Sequence, residues 1–508
     1  MSLFNSILTW VMKKRIHQIE LFMKYPLEVQ EELFKKLLYS ARYTEFGRKY
    51  KFSEIKSYQQ YKERVPVHSY EQFFPYIERL MKGEQNLTWP SEIKWFAKSS
   101  GTTNARSKFI PVTNEALEDC HFKGGKDMVS IYVNNNPDTK IFKGKGLGIG
   151  GSHQINEYDP SESSYYGDVS AVIMQNLPLW AQFVRTPSLD IALMDKWEEK
   201  IEKMARSTVK ENVTNISGVP TWTILLLQRI LELEGKNNIL EVWPSLEAFF
   251  HGAVAFDPYR EIFKTLIPCD TMNYVETYNA SEGFFGIQDQ KKSSEFLLML
   301  DYGIFYEFIP FEEINNEHPR TLSLEEVEVG KNYAMVISTN GGLWRYNIGD
   351  TIKFTSLSPF RVKISGRTKH FINAFGEELI IENAETAITK ACHVTGAVID
   401  NFTAAPLYFE EGRKGGHEWI IEFVKEPDSL ERFTTLLDET LRGINSDYDA
   451  KRYMDLALHQ PVIHSVPRGT FYEWMKNRGK LGGQNKVPRL SNTREYVGDI
   501  LEMIQKEA

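Results

Sequence analysis

SSGTTNARSKFIPVT, residues 99–113, gathers small hydroxyl side chains around one glycine and runs out into an apolar, strand-like segment. Glycine lets the backbone turn tightly, and the hydroxyls of Ser99, Ser100, Thr102 and Thr103 can converge with backbone amides around Gly101 on a polyanion. Phosphate is the natural guest of such a loop; a polar surface turn is the plainer reading of SSGTT alone. The GxxxxGK[ST] of a P-loop is missing, so Mg-ATP has to be held by a different fold.

The rest of the chain sets bounds on that reading. At 508 residues it is long enough for two or three domains and a large buried core. Hydrophobic residues at 42% and charged residues at 25% place it among ordered globular proteins. A net charge of -8 offers no global positive field for a phosphate backbone, so nucleic acid is not an expected partner. Cys120, Cys269 and Cys392 stand far apart without CxxC spacing, which excludes a disulfide framework or zinc knuckle and suits a reducing cytoplasm. The N-terminal SLFNSILTWVMKKR carries its positive charge after a short apolar run, so it is not expected to act as a secretion signal. No stretch reaches the roughly 18 apolar residues of a membrane span, and no membrane partner is expected. The sequons at Asn86, Asn212, Asn279 and Asn401 then carry no glycosylation signal.

Apolar spacing predicts helices in SILTWVMKKRIHQIELFM and PLEVQEELFKKLLYSA, the second opening on proline. Beyond the hydroxyl loop, strand-like and helical runs alternate through TKIFKGKGLGIGG, GVPTWTILLLQRILELEG, LEAFFHGAVAF and FLLMLDYGIFYEFIPF, which predicts an α/β architecture. From about Tyr333 the pattern turns to β, with a hairpin at Asn340-Gly341-Gly342. A smaller α+β unit follows, with helices in ENAETAITKAC and DSLERFTTLLDETLRGI, the latter started by Asp428 or Ser429, and a strand in HEWIIEFV. The boundary is expected between about Ser365 and Gly376, giving units 1–370 and 371–508.

Four further stretches carry chemistry. In YNASEG, residues 278–283, Tyr278 can lie on a purine, Ser281 offers a hydroxyl, and Glu282 offers the single carboxylate that Mg²⁺ takes alongside substrate phosphates; a solvated loop acid is the alternative. In WRYNIGD, Asp350 can accept both hydroxyls of a ribose, or be a plain turn residue after a strand. In GRTKHFINAFGEEL, Arg367 can reach phosphate or ribose between Gly366 and Gly376, as a hinge or an ordinary linker. In KNRGKLGGQNKVPRL, Lys476, Arg478, Lys480, Lys486 and Arg489 offer a mobile cation for a phosphoryl transition state, or a solvated basic loop. Gly146, Gly148 and Gly151 satisfy GxGxxG, but SHQINEYDPSES follows, and no helix is expected there to receive a pyrophosphate.

In this order the five stretches resemble the adenylate-forming superfamily of acyl-CoA synthetases, luciferases and peptide-synthetase adenylation domains. SSGTTNARSKFIPVT, YNASEGFFG, HGAVAFDPYR, GVPTW and GQNKVPRL, with YTEFGRKY and VPVHSYEQFFPYIERLMKGE upstream, are most similar to the acyl acid-amido synthetases of the auxin-responsive Gretchen Hagen family, over nearly the whole chain. The resemblance implies a large N-terminal adenylate-forming domain with β-barrel-like and α/β sheet subdomains, a small mobile α+β C-terminal lid, and an active site between them. It implies that Ser99, Ser100, Gly101, Thr102 and Thr103 hold the ATP phosphates, that Tyr278 packs on adenine, and that Ser281 lies near the α-phosphate. By the same likeness Glu282 takes Mg²⁺, Asp350 the ribose, Arg367 helps hold the nucleotide, and Lys486, with Glu282 and Thr103, serves adenylation. Two departures stand out: Asn104 and Ala105 replace a further glycine and its neighbour before Lys108, and Lys369 replaces an acidic hinge residue.

The implied chemistry is attack of a carboxylate on the α-phosphorus of ATP, then of an amine, that of an amino acid, on the acyl-adenylate. Coenzyme A as acceptor is a near alternative, and a non-catalytic nucleotide-binding relative a more distant one. A serine hydrolase would need a GxSxG elbow, and NASEG lacks its first glycine. LGIGGSH, QNLPLWAQF, GVPTW and HGAVAF either line the slot for the acid or are core. A cytoplasmic monomer is expected.

Overall fold

A computed structural model describes residues 14–99, 108–159, 163–254, 256, 259–314, 316–367, 371–409, 415–452, 457–478 and 487–507. Helix α1 (Pro26–Ala41) opens on its proline, whose missing N–H costs nothing in the first turn, and buries Gln30, Phe34, Leu37, Leu38 and Ala41 along one stripe. Gln30 belongs there because its amide is satisfied: it donates to the carbonyls of Leu300 (2.7 Å) and Ile304 (2.9 Å) and accepts from the Tyr306 N–H. Helix α2 spans Tyr58–Arg64, and α3 (Tyr70–Met81) starts with a capping box between Ser69 and Gln72.

Among the described residues, β1 (Trp95–Ser99), β2 (Lys108–Val112), β4 (His153–Ile155) and β5 (Tyr165–Gly167) form a small sheet in the order β2-β1-β5-β4. A much larger sheet holds β3 (Lys145–Gly148), β6 (Arg185–Thr186), β7 (Val213–Ser217), β8 (Ala248–Gly252) and β9 (Asn273–Ala280), all mutually parallel in the order β9-β8-β7-β3-β6. The antiparallel strands expected as a barrel-like subdomain run on from β9 in the same sheet. They are β10 (Gly283–Ile287), β11 (Phe296–Leu298), β12 (Ile304–Pro310), β13 (Asn332–Thr339), β14 (Tyr346–Leu357) and β15 (Phe360–Arg367), joined through β10-β11-β15. The last of the alternating runs thus contains two strands, β11 and β12, and the Asn340-Gly341-Gly342 turn links β13 to β14. The GxGxxG glycines lead from β3 into strand β4 of the other sheet, with no helix between them.

Helices α4 (Lys123–Asn135) and α5 (Val169–Gln175) lie on one side of the parallel strands; α6 (Trp197–Thr208) and α7 (Pro220–Glu234) pack on the other with Leu147, Val213, Ile216 and Phe249. Beyond the short pair β16 (Phe371–Ile372) and β17 (Leu379–Ile380), helices α8 (Ile381–Thr395) and α9 (Leu430–Ile444) pack with β18 (Val398–Leu407), β19 (Gly416–Lys425) and β20 (Val462–Val466). Ser429 caps α9 by accepting from the Arg432 N–H. This part shares its core with α7: Thr221 donates to the Phe375 carbonyl at 3.3 Å, Tyr259 to that of Ala374, and the Lys451 ammonium lies 4.7 Å from the Trp222 ring. The free cysteines are unpaired with one another, and no described helix is long and apolar enough to cross a membrane.

Helix α2 is fastened to the sheet by an ion pair. Arg345, in left-handed backbone at φ 42°, donates from Nε to both Glu307 oxygens (3.1 and 3.0 Å), from Nη1 to the carbonyls of Lys62 and Val65, and from Nη2 to Thr321. Glu307 is 0% exposed and also accepts from Tyr58 at 2.9 Å, so removing its charge strands the guanidinium in the core. Glu307→Gln is expected to lower unfolding free energy by about 3–5 kcal/mol in urea titration; an unchanged midpoint would show that water reaches this pair.

Candidate functional site

A cavity of about 2880 Å³ runs along one face of the parallel strands and reaches their carboxyl-terminal ends, where open α/β sheets bind their ligands. Its position follows from chain direction: each parallel strand delivers a loop to the same edge, here Gly148–Ser152 after β3, Gly218 after β7, Ala253–Val254 after β8 and Ser281–Glu282 after β9.

Ser281 and Glu282 form the tight turn between β9 and β10 and line the cavity. Tyr278, on the last turn-ward part of β9, is 4% exposed and rests against Phe285 (5.0 Å between centroids) and Phe296 (6.1 Å). Its hydroxyl donates to Asp350 Oδ2 at 2.9 Å. β9 and β14 are four strand spacings apart, about 19 Å in a flat sheet at ~4.8 Å each, so this bond requires the sheet to curl. The three-residue β11, which pairs through only two residues with each of its neighbours, lies between the two halves. Asp350 is paired across the ladder with Arg367, so β14 and β15 bring these two expected nucleotide residues together.

Ser99 and Lys108, which flank the hydroxyl-rich segment, are partners in the β1–β2 ladder. Lys108 is 8% exposed, lines the cavity, and holds its ammonium 5.5 Å from the Tyr70 ring. Ser100, Gly101, Thr102, Thr103, Lys369, Lys480 and Lys486 lie outside the described residues, as do the side chains of Ser99 and Arg367. Among the described residues no three His, Cys, Asp or Glu side chains gather as a metal cage. Mg²⁺ shared with phosphates needs one carboxylate rather than a cage, and Glu282 on its turn meets that requirement.

Other groups at the cavity escaped sequence reasoning. Lys200 on α6 is fully buried and donates to the carbonyls of Gly150 (2.5 Å) and Gly151 (3.0 Å), tying down the loop after β3. Burial draws its pKa down to about 8 against the pull of Asp168 and Asp195. The signal was its position on the apolar stripe of residues 197, 201, 204 and 208. His121 lies in a π-helical turn, Leu117–Phe122, whose Cys120 thiol accepts from the Phe284 N–H beside the Ser281–Glu282 turn. His251 ends β8 and stacks on Phe256 at 4.1 Å. Both imidazoles line the cavity with Nδ1 unbonded. Much of LGIGGSH, GVPTW and HGAVAF lines it too, and so do Leu177, Pro178 and Ala181 of QNLPLWAQF.

Three family models match successive parts of the chain. The GH3 family N-terminal domain matches residues 15–272, the GH3 family central domain 297–367, and the GH3 family C-terminal domain 382–495. The indole-3-acetic acid-amido synthetase GH3.3 of Arabidopsis thaliana is 23% identical over 531 residues, covering 91% of this chain and 89% of that protein. The 4-substituted benzoates-glutamate ligase GH3.12 of the same plant is 21% identical over 543 residues, with 91% and 92% covered. The GH3.15 acyl acid amido synthetase superposes with a TM-score of 0.61 at 17% identity over 96% of this chain and 95% of that one. A 2-hydroxyisobutyryl-CoA ligase, solved with 2-HIB-AMP and CoA, does so at 0.55 and 13% identity over 94% and 92%. These superpositions establish a shared fold.

Burial draws the pKa of His121 down to about 4 and that of His251, helped by the Arg260 charge, down to about 3. The unfolded chain, with imidazoles near 6.5, therefore binds more protons between those values, and stability present above pH 6.5 is lost as pH falls through 4. Replacing either histidine with glutamine is expected to reduce the slope of unfolding free energy between pH 5 and 6 by about 1.4 kcal/mol per pH unit. Denaturant titrations at stepped pH check this, and an unaltered slope would mean that the imidazole is already solvated.

Proposed function

From its place in the GH3 family, to which this chain belongs, we propose that the cavity joins a carboxylic acid to an amino acid in two steps driven by ATP. The acid's carboxylate attacks the α-phosphorus and pyrophosphate leaves; the amine then attacks the acyl carbon and AMP leaves. The observation that carries this reading is the Tyr278–Asp350 bond, which holds a carboxylate suited to ribose hydroxyls beside the Ser281–Glu282 turn. The names of the curated relatives, amido synthetases and a benzoate-glutamate ligase, favour an amino acid as the acceptor.

Two anions must meet in the first step, so the site has to offset their repulsion and the charge that grows at phosphorus. Ser99, Ser100, Gly101, Thr102 and Thr103 would hold the phosphates, with Lys108 at the base of that segment. Asp350 would accept the ribose hydroxyls with its carboxylate oriented by Tyr278, whose ring would flank adenine, and Arg367, opposite Asp350 in the ladder, would help hold the nucleotide. Ser281 would donate toward the α-phosphate, and Lys486 would approach the same centre. Glu282 would hold Mg²⁺, which when bound neutralises phosphate charge. In the second step the amine must reach the acyl carbon ahead of water, and the apolar wall of Ile149, Val254 and Phe256 excludes it.

The test is ATP–pyrophosphate exchange over a panel of carboxylic acids, followed by release of AMP with amino acids or coenzyme A as acceptor. Acid-dependent exchange with amide formation is expected; no exchange with any acid would remove the reading, and consumption of the adenylate by coenzyme A alone would move the enzyme to the thioester ligases. Lys486→Ala is expected to slow exchange by about 10²–10³-fold with ATP binding retained. Asp350→Ala is expected to weaken ATP binding by about 10–100-fold in calorimetry; undiminished affinity would place the ribose elsewhere.

A further inference from the structure

We propose that Arg185 receives a second carboxylate at the far end of the acyl acid, so that the preferred substrates are dicarboxylic acids with a long apolar spacer. The inference rests on the adenylating activity proposed above and names the class of acid.

Arg185 is paired with Gly146 in the parallel β6–β3 ladder, and paired residues point to the same face of a sheet. That face continues through Asn215 and Ser217 of β7 to Phe250 of β8, and it is the face that lines the cavity. Two residues beyond Gly146 on the same face the strand leaves room: a side chain at Gly148 would meet nothing within 4 Å.

The guanidinium there has no counter-charge. Its Nη1 is buried without a hydrogen-bond partner, Nη2 contacts the Met174 sulfur at 3.6 Å, and among the described residues no carboxylate pairs with it. Burial alone pulls its pKa below the usual arginine value, with no acidic group opposing the shift. The fully buried arginines behave otherwise: Arg15 holds Asp127 and Asp301, Arg345 holds Glu307, and Arg452 holds Asp438. A partly desolvated cation left unpaired is costly to the fold, and its planar fork of donors fits a carboxylate with two parallel bonds. Ile149, Ile173, Met174 and Leu177 make the surrounding wall apolar, which suits a hydrocarbon or aromatic spacer. Four strand spacings, about 19 Å at ~4.8 Å each, separate β6 from β9, so short diacids cannot bridge from the adenylation end to Arg185.

The experiment compares matched pairs of acids of equal length, one monocarboxylic and one α,ω-dicarboxylic, by ATP–pyrophosphate exchange and by titration calorimetry on the full chain, in wild type, Arg185→Met and Arg185→Lys. For long members of the series, wild type is expected to show a KM at least about 10-fold lower for the diacid, with Arg185→Met erasing the difference and keeping kcat on the monoacid. Arg185→Lys, which keeps the charge and loses the fork, is expected to retain part of the preference, and it serves if the methionine variant does not fold. Equal KM for the two acids in wild type, a preference that survives Arg185→Met, or equally tight binding of ω-hydroxy acids overturns the proposal while leaving adenylation standing. If no acid supports exchange, the proposed function fails, and calorimetry still decides Arg185: diacid binding lost in Arg185→Met supports the receptor, and no binding to wild type ends it.

Discussion

A hydrogen bond between Tyr278 and Asp350 constrains the whole sheet. In flat geometry the strands that carry these residues stand four spacings apart, far beyond the reach of a phenol, yet the bond is 2.9 Å long. The sheet must therefore bend its antiparallel half over its parallel half, and β11, only three residues long, lies between the two. The curl assembles the candidate site. It places the β14–β15 ladder, with Asp350 opposite Arg367, against the turn that carries Ser281 and Glu282.

Polar groups in this protein divide according to how they are satisfied. Where they hold the fold together they are closed off: Arg345 and Glu307, Arg15 and Asp127, Gln30 among its backbone partners. Around the cavity the pattern changes. His121 and His251 are buried neutral with an unbonded nitrogen each, and Arg185 has a sulfur atom beside its guanidinium. Unbonded buried atoms also occur away from the cavity, on Trp89, Trp419 and Trp474, and those that line it are the ones a ligand can complete.

The scaffold itself leaves the acceptor open. An acyl acid amido synthetase and a CoA ligase both superpose on this chain over more than nine-tenths of its length, and they differ in what takes the acyl group from AMP. Chemistry of this kind is set by a few side chains and loops at the strand ends and not by the order of strands.

The sequence by itself determined the kinds of element and several of the turns between them. Helical spacing marked Pro26–Ala41, Ser429 announced the start of α9, the Asn340-Gly341-Gly342 turn fixed a hairpin, and the residues after GLGIGG ruled out a dinucleotide helix. These are local properties, carried by periodicity and turn chemistry within a few residues. It could not separate lining from core: HGAVAF was marked without singling out His251, QNLPLWAQF ends two residues short of Arg185, and Lys200 hides on an apolar stripe. Only the tertiary structure decided which of these face the cavity, and which carboxylate Tyr278 meets 72 residues away. The physical reason is that burial and charge pairing are set by groups remote in sequence, which a curled sheet brings within a bond length of one another.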